Sequence, residues 1–291
     1  MINRRKFMNV IVSSLGGTCL FPSIKALAGG QNDKSEIIAS EAERTIIIDS
    51  CYLNFPVRTG AESQRLKLLV DGKVEREFDI ELVDTEPEWW AFMDVAQFQG
   101  KLVKLQVDKP LEGFRGLLSI VQANQIIDTE ILYHEKLRPQ FHFSTRRGWT
   151  NDPNGLVYYK GEYHLFYQHN PYGWNRGNMH WGHAVSTDLV HWKELPIALY
   201  PDQHGNMHSG SAVIDWNNTT GFEKGNEKTI VTLFTAAGNQ KQGNAFSQGI
   251  AFSNDRGRTW SKYDNNPVLP NITKYNRDPK VIWYSPESKW I

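Results

Sequence analysis

A short motif that occurs twice in the C-terminal half of the chain restricts the possible folds more than any other feature. Ala-x-Ser-x-Asp followed shortly by Trp occupies residues 184–192 and recurs at residues 251–260, and the two serines are 67 residues apart. Short aromatic runs separated by turn residues fill the interval, which leaves room for several short strands in each copy. A repeat of about 60–68 residues that holds about four strands is typical of a β-propeller blade.

Two Asp-Pro pairs follow the same repeat. Asp152 and Asp278 each precede a proline and lie 126 residues apart, or twice 63, and Ser209 opens another strand pattern 57 residues after Asp152. Proline lacks a backbone N–H and keeps the preceding residue extended, so such a pair suits either the beginning of a strand or an ordinary turn. Because propeller strands begin around one mouth of a central channel, we expect Asp152, Ser209 and Asp278 to face the same cavity.

The first Asp-Pro pair lies in an unusually polar motif. Residues 148–155 read Gly-Trp-Thr-Asn-Asp-Pro-Asn-Gly and precede the strand pattern of residues 156–159. We expect Asn154 and Gly155 to turn the backbone sharply into that strand. A carboxylate held at the start of a strand, beside amides and an indole, is a candidate sugar-facing nucleophile.

The N-terminal half has a different pattern. Residues 44–136 consist of short runs of alternating and β-branched residues without a helical period, and Asp71-Gly72 between two of these runs is a hairpin signal. They predict a small antiparallel β-sandwich without a catalytic constellation. Trp89 and Trp90 suit either a sugar platform or packing in the core or between domains, and we favour packing.

Residues 1–28 have the features of an export signal. Residues 4–6 (Arg-Arg-Lys) precede an apolar run, and a small-residue cleavage site ends at Ala28. The run of about 15 residues is too short and too interrupted to span a bilayer. The arginine pair indicates a twin-arginine signal, with a general secretory signal as the alternative, and residues 29–43 read as a polar linker. We therefore expect an exported bacterial protein that is periplasmic, bound to the cell surface or secreted.

Charge and cysteine content exclude several classes of protein. Removal of the signal leaves 28 basic and 32 acidic side chains, a net charge of −4, and Cys51 as the single cysteine. This balance indicates neither a nucleic-acid partner nor a membrane surface, and one cysteine excludes an intramolecular disulfide and a cysteine-based zinc site. The nine histidines form no metal-ligand motif, and no phosphate-binding glycine loop occurs. We expect no metal and no cofactor.

Four motifs together resemble glycoside hydrolase family 32, which contains invertases, inulinases and levanases. They are Trp-Thr-Asn-Asp-Pro-Asn-Gly at residues 149–155, Met-His-Trp-Gly-His at 179–183, Ser-Gly-Ser at 209–211 and Arg-Asp-Pro at 277–279. The resemblance covers residues 141–291, and the N-terminal sandwich resembles, more weakly, an extra domain of some Bacteroides-type members. It implies an all-β chain in which residues 137–291 form the first blades, about half, of a five-bladed β-propeller with a funnel-shaped pocket.

The resemblance also implies a retaining hydrolase that removes terminal β-fructosyl units from fructans or sucrose. Asp152 matches the family's nucleophile, which attacks the anomeric carbon, and Asp278 matches its transition-state stabiliser. The residues that would line the fructose subsite, by position, are Asn151, Gln168, Trp181, Ser209 and Arg277.

The family's acid/base residue is a glutamate in a Glu-Cys motif, and these 291 residues contain no such motif. Glu287 is the only acid after Asp278, and its Ser-Pro-Glu-Ser context reads as a surface turn. Five blades of about 63 residues need about 315 residues, about twice the number present after the sandwich. The chain also stops within a strand pattern at Ile291. We therefore expect a C-terminally truncated fragment that is inactive by itself.

Two positions depart from the family's pattern and leave the choice of fructan open. Arg176 stands where a tryptophan is usual, which Trp174 would replace, and His208 stands where a phenylalanine is usual. One alternative is an inverting propeller glycosidase that acts on pentose polymers, similar to family 43, although the Asn-Asp-Pro-Asn-Gly motif argues against it. The other is a propeller that binds fructans without catalysis, or a remnant half-propeller, which the missing acid/base residue favours.

Overall fold

The computed structural model describes residues 36–39, 42–110, 112–113, 115–238, 246–273 and 275–291. These residues form 18 β-strands joined by turns and short 3-10 segments. None of the helices among them is long and apolar enough to cross a membrane. The all-β class predicted from the sequence is confirmed, and the export signal predicted for residues 1–28 lies outside the described residues.

Eight strands form the N-terminal half of the described chain, and in chain order they are β1 (Glu36–Ala39), β2 (Glu43–Ile47), β3 (Tyr52–Val57), β4 (Gln64–Val70), β5 (Lys73–Ile80), β6 (Trp89–Asp94), β7 (Leu102–Val107) and β8 (Val121–Ala123). The order β1-β2-β7-β4-β5 forms a five-stranded sheet, and β6-β3-β8 forms a three-stranded sheet. All neighbouring strands in both sheets are antiparallel. β1 lies inside the segment that the sequence predicted as a linker.

The two N-terminal sheets share one hydrophobic core. Buried and half-exposed residues alternate along β4, as the period of two in a strand requires, so Leu66 and Leu68 point inward. Phe55 from β3 and Met93 from β6 belong to the same buried cluster. Each fully buried side chain of this size contributes about 1.5–3 kcal/mol to folding, so the alternating runs of the sequence are what hold the two sheets together.

Ten strands follow in the C-terminal half, and in chain order they are β9 (Trp149–Tyr159), β10 (Glu162–Asn170), β11 (His180–Ser186), β12 (Trp192–Leu199), β13 (Asn206–Asp215), β14 (Thr229–Ala237), β15 (Phe246–Ser253), β16 (Ser261–Lys262), β17 (Trp283–Tyr284) and β18 (Lys289–Trp290). β9–β12 and β13–β16 each form an antiparallel four-stranded meander, and β17 pairs with β18. The first strands of the two meanders, β9 and β13, pack against each other. Four-stranded propeller blades are therefore confirmed, while their total number of five stays a prediction.

The repeated sequence motif forms the same corner in both blades, at the end of the third strand. Ser186 Oγ donates to Asp188 Oδ1 at 3.0 Å after β11, and Ser253 Oγ donates to Asp255 Oδ1 at 2.7 Å after β15. The tryptophan of each copy donates its indole N–H to a backbone carbonyl of the same turn, at 3.2 and 3.1 Å. The motif is thus a turn that connects the third strand of a blade with the fourth.

The backbone at Asn154 and Gly155 forms a β-bulge inside β9, so the expectation of a sharp turn there is wrong. β9 has one residue more than β10 at this point, and Gly155 has a φ of +52°. A Cβ on Gly155 would lie 2.7 Å from the Phe166 ring and 3.0 Å from the Trp181 ring. Both the backbone angle and the close packing therefore require glycine, and Asp152 lies within a long strand.

Candidate active site

Ser209 connects the two blades at the carboxylate of Asp152. Its Oγ, on β13, donates a hydrogen bond of 2.9 Å to Asp152 Oδ2 on β9. Gln168, on β10, donates its Nε2–H to the same Oγ at 2.7 Å. The serine and the glutamine are buried, whereas the aspartate is exposed. The cluster therefore presents one carboxylate to solvent, and buried side chains beneath it hold it through hydrogen bonds.

Asn154 completes this cluster, although it was not among the residues predicted to bind substrate. The Asn154 amide is oriented so that both of its ends have partners. Its nitrogen donates to Ser209 Oγ at 3.1 Å, and its oxygen accepts the backbone N–H of Gln168 at 3.3 Å. A hydroxyl has one proton to donate and two lone pairs to accept with. Because amides occupy both lone pairs of Ser209, its proton points to Asp152. Its position in the Asn-Asp-Pro-Asn-Gly motif, two residues after Asp152, was the sequence feature that could have predicted this contact.

Trp181 lies behind this cluster, which differs from its expected place in the wall of a fructose subsite. Its side chain is fully buried, and its indole N–H donates to the His208 carbonyl at 2.9 Å. This bond holds the backbone immediately before Ser209, so Trp181 positions the serine and offers no ring face to a ligand.

Asn151 is exposed beside Asp152 on β9.

Asp278 lies in the irregular segment between β16 and β17, so its expected place at the start of a strand is wrong. Its φ is +59°, in the left-handed region that Asp enters more readily than most residues. Its carboxylate is 55% exposed, with Oδ2 3.5 Å from Arg277 Nε. The Arg277 guanidinium lies 5.9 Å from the centroid of the Phe246 ring. An exposed pair of this kind contributes at most about 1 kcal/mol to stability, and both charged groups stay accessible to solvent.

Two buried polar side chains of the second blade hold the backbone at Asp278. Thr235 on β14 accepts the Asp278 N–H at 2.9 Å and donates to Gln248 Oε1 on β15 at 2.9 Å. Gln248 donates its Nε2–H to the Asn276 carbonyl at 2.7 Å. Buried polar groups are normally paired in this way, and the pairing places residues 276–278 on the second blade. Neither residue was predicted from the sequence, because a threonine and a glutamine within a strand pattern carry no local signal.

The half-buried imidazole of His208 responds to charges of both signs. Burial lowers its pKa most; the positive charges of Arg176 and Arg277 lower it further, whereas the negative charges of Asp278 and Asp152 raise it. That Asp152 and Asp278 face a common cavity stays a prediction.

Trp174 and Arg176 lie in the loop between β10 and β11. The Trp174 indole is 43% exposed, and its centroid lies 4.6 Å from that of Trp89. Trp89 packs against the N-terminal core, in line with the packing favoured from the sequence.

Glu287 lies in the turn between β17 and β18, where it pairs with Lys289.

The histidines of the blades pack and form hydrogen bonds. No group of three or more His, Cys, Asp or Glu side chains in the described part of the chain is arranged to hold a metal ion. His164 and His183 form a buried pair with Nδ1 of the first 3.0 Å from Nε2 of the second. Burial lowers the pKa of both rings, that of His164 to about 4. The exposed polar groups near the Asp152 cluster and the Asp278 segment are the carboxylates of Asp152 and Asp278, the amide of Asn151 and the guanidinium of Arg277. These groups can form hydrogen bonds with hydroxyl groups.

Comparisons with known proteins find matches to the C-terminal half of the chain. Residues 142–291 match the model of the glycosyl hydrolases family 32 N-terminal domain. A levanase of Bacillus subtilis is 58% identical over 160 residues, which cover 55% of this chain and 23% of the levanase. An extracellular exo-inulinase of Aspergillus niger is 44% identical over 181 residues, which cover 55% of this chain and 34% of the relative.

A solved structure shows the same likeness. The β-fructofuranosidase of Schwanniomyces occidentalis complexed with fructosyl-erythritol is 40% identical with a TM-score of 0.51, over 56% of this chain and 32% of that chain. The chain thus spans about a quarter to a third of the length of these relatives. Since the family model covers more than half of its residues, the chain belongs to glycosyl hydrolase family 32.

Proposed function

We propose that the protein is a retaining β-fructosidase that hydrolyses terminal β-fructosyl units of fructans or sucrose, with Asp152 as its nucleophile. The observation that supports this proposal is the fixed orientation of the Asp152 carboxylate. Ser209, whose lone pairs are occupied by Gln168 and Asn154, donates to Oδ2, while Oδ1 accepts no hydrogen bond from the described residues. One oxygen is therefore anchored and the other is available to a substrate.

In this mechanism Oδ1 of Asp152 forms a bond to the anomeric C2 of the terminal fructosyl unit, and the bond from C2 to the glycosidic oxygen breaks. A carboxylic acid protonates that oxygen as it leaves. The same group, now a carboxylate, removes a proton from the water that attacks C2 and releases Asp152 from the fructosyl ester. Two successive inversions at C2 give a product with the original configuration.

Asp278 would stabilise the positive charge that develops on the sugar ring as the C2–O bond breaks. Its carboxylate is exposed beside Arg277, and its backbone is held by Thr235. Hydrogen bonds from the fructose hydroxyls to such a fixed carboxylate strengthen as charge develops, and only interactions of that kind lower the barrier. We assign Asp278 to this role because the hydrogen-bonded backbone restricts where its side chain can reach.

We propose further that the 291-residue polypeptide by itself does not hydrolyse sucrose or fructans. Its sequence contains no Glu-Cys motif, and Glu287 is paired with Lys289 in a surface turn. A general acid contributes about 10²–10⁴-fold to a reaction of this type. Without it the sugar leaving group must depart as an alkoxide, which is slow.

β-Fructosyl fluoride separates the nucleophile from the acid, because fluoride leaves without protonation. The 291-residue chain should form a fructosyl ester with this reagent, and the ester should accumulate because no base activates water. Intact-protein mass spectrometry should show the gain of one fructosyl unit, and peptide mapping should place it at Asp152. Asp152→Asn should stay unlabelled, whereas Glu287→Gln should label as the wild type does.

The outcomes of this experiment separate the competing functions. Labelling at a residue other than Asp152 would refute the assignment of the nucleophile. Release of fructose from sucrose or levan by the 291-residue chain would refute its proposed inactivity. Fructan binding without any labelling would instead favour a non-catalytic fructan-binding propeller.

We also propose that the protein is exported through the signal at residues 1–28. The exo-inulinase relative is described as extracellular, and Arg4-Arg5 is the arginine pair of a twin-arginine signal. A reporter fused behind residues 1–28 should be exported, and the double substitution Arg4→Lys and Arg5→Lys should block its export. Undiminished export of the doubly substituted reporter would favour the general secretory route.

A further inference from the structure

A cavity of about 230 Å³ lies between the N-terminal five-stranded sheet and the loop that connects β10 with β11. The N-terminal side supplies Asp79 and Glu81 from the end of β5 and the residues after it. The loop side supplies Trp174, Asn175 and Arg176. The cavity thus has walls from both halves of the chain, and none of its residues belongs to the Asp152 cluster.

The loop that forms one wall is anchored in the N-terminal core. The ring of Tyr172 stacks on Phe78 of β5, with centroids 3.7 Å apart and an interplanar angle of 19°. Tyr172 is 1% exposed and belongs to the same buried cluster as the N-terminal strands. Burial of such a ring contributes about 1.5–3 kcal/mol, so the N-terminal sheet holds the beginning of this loop.

The end of the loop is held by a second contact with β5. Asn178 accepts the Asp79 N–H at 2.8 Å and donates its Nδ2–H to the Asp79 carbonyl at 2.7 Å. The same amide donates to Asn170 Oδ1 at 3.0 Å. An asparagine side chain here pairs with a strand as a neighbouring strand would, so both ends of the loop are fixed and the cavity between them is preformed.

The groups around the cavity are those that bind sugars. Asp79 is 57% exposed at its side chain and, like Glu81, can accept hydrogen bonds from hydroxyl groups. Arg176 and Asn175 offer donors, and the exposed indole of Trp174 offers an apolar face. A small cavity with a few convergent polar groups and an aromatic wall suits a single small polar ring.

The cavity lies at the end of the strand that holds the Asp152 cluster. Asn170, the last residue of β10, lines the cavity. Gln168, two residues earlier on β10 and therefore on the same face of the strand, donates to Ser209, which donates to Asp152. Two residues of a strand span about 7 Å, so a chain of sugar units that begins at Asp152 can reach this cavity with its next unit.

We propose that this cavity is a second sugar subsite, built in part by the N-terminal sheet, for the fructosyl unit on the leaving-group side of a fructan chain. The inference rests on the proposed function, because it needs a terminal fructosyl unit at Asp152. It assigns the N-terminal sheet a direct part in binding, through Asp79 and Glu81, and a positioning part, through its hold on Tyr172 and Asn178.

The test is isothermal titration calorimetry of the 291-residue chain with sucrose and with levan and inulin oligosaccharides. Trp174→Ala and Asp79→Ala should each weaken binding of an oligosaccharide about tenfold, the size of effect typical of a ring or charge in a binding pocket. Sucrose, whose glucosyl ring would take the same place on the leaving-group side, should also bind more weakly in Asp79→Ala. Asp79→Ala keeps the contact with Asn178, because that contact uses backbone atoms.

Two matched variants serve as controls. Glu77→Ala removes another carboxylate of β5 that pairs with Arg65, as Asp79 does, but does not line the cavity. Trp216→Ala removes another exposed tryptophan, 60% exposed, from a different part of the blades. Both controls should bind oligosaccharides as the wild type does.

The results that would overturn the proposal differ from those that would overturn the proposed function. If the wild type binds sucrose but Trp174→Ala and Asp79→Ala bind oligosaccharides with unchanged affinity, the second subsite does not exist and the proposed function stands. If the wild type binds no fructoside at all, both fail. An equal loss in the two variants and their controls would also refute the subsite.

Discussion

The hydroxyl of Thr235 accepts the backbone N–H of Asp278 at 2.9 Å, across 43 residues of sequence. The threonine is fully buried, and its hydroxyl donates a hydrogen bond to Gln248 Oε1. A strand of the second blade therefore determines where the carboxylate of an irregular segment can lie. Because Asp278 has a left-handed backbone, this hydrogen bond opposes relaxation of the segment.

Thr235→Val should slow fructosyl transfer from β-fructosyl fluoride by about 10–100-fold, since small displacements of a catalytic group cost rate in this range. Thr235→Ser keeps the hydroxyl and should restore most of the rate. Thr232→Val is the matched control, because Thr232 lies on the same strand, is equally buried and donates its hydroxyl proton to the Ala251 carbonyl, away from Asp278. It should cost about 1 kcal/mol of stability without a change in labelling rate. Equal rates for the two valine variants would contradict the positioning role of Thr235.

Ser209→Ala should reduce the rate of labelling at Asp152 by about tenfold, the loss expected for one hydrogen bond to a charged group. The affinity for sucrose should change less, because the serine acts through the aspartate. Ser186→Ala removes a serine from the corner of the first blade and should leave labelling unchanged. The measurement is the time course of mass gain. A wild-type rate in Ser209→Ala would show that Asp152 needs no fixed orientation.

The buried pair of His164 and His183 should make stability depend on pH. Burial lowers the pKa of His164 from its ordinary value of 6.5 to about 4 in the folded protein, so the unfolded chain binds the proton more readily between these values. Stability is therefore complete above pH 6.5 and is lost as the pH falls from about 6.5 to about 4, by up to about 3 kcal/mol.

Urea unfolding midpoints at several pH values test this dependence. His164→Gln should flatten the profile over this pH range, whereas His191→Gln, at an exposed position, should leave it unchanged. A wild-type midpoint that stays constant from pH 7 to pH 4 would show that the pair accepts a proton without cost.

Gly155→Ala should destabilise the first blade by about 3 kcal/mol, because the new Cβ meets two buried rings and the backbone has a positive φ. Gly161→Ala is the control, since Gly161 also has a positive φ, of +87°, but a Cβ there meets nothing within 4 Å. It should cost about 1 kcal/mol. Thermal unfolding measures the difference, and equal losses in the two variants would mean that Phe166 and Trp181 move aside freely.

The spacing of the repeated motif predicted the blades, because turn chemistry and strand length are local properties of the sequence. It also predicted that Asp152 and Ser209 approach each other, since both lie on the first strand of a blade. The bulge at Gly155 was missed because Asn-Gly favours a turn in isolation, and pairing with β10 on both sides overrides that preference.

Contacts between distant segments were the part that the sequence did not reveal. Tyr172 reads as a loop residue, and only the packing shows that it completes the core of strands about 90 residues earlier. Trp181 resembles a ligand-facing residue in its motif, yet its ring is fully buried in the core behind the site. Periodicity states which face of a strand is apolar, but it does not state which other segment covers that face.

The corner formed by Ser186 and Asp188, and its copy at Ser253 and Asp255, bears on the order in which the blades assemble. Each corner joins residues two positions apart, so its closure loses little chain entropy. The contact of Asp152 with Ser209 spans 57 residues and requires two separate sheets to meet. We expect the outer hairpins to form early and independently, and the surface around Asp152 and Ser209 to be the last part of the two blades to assemble.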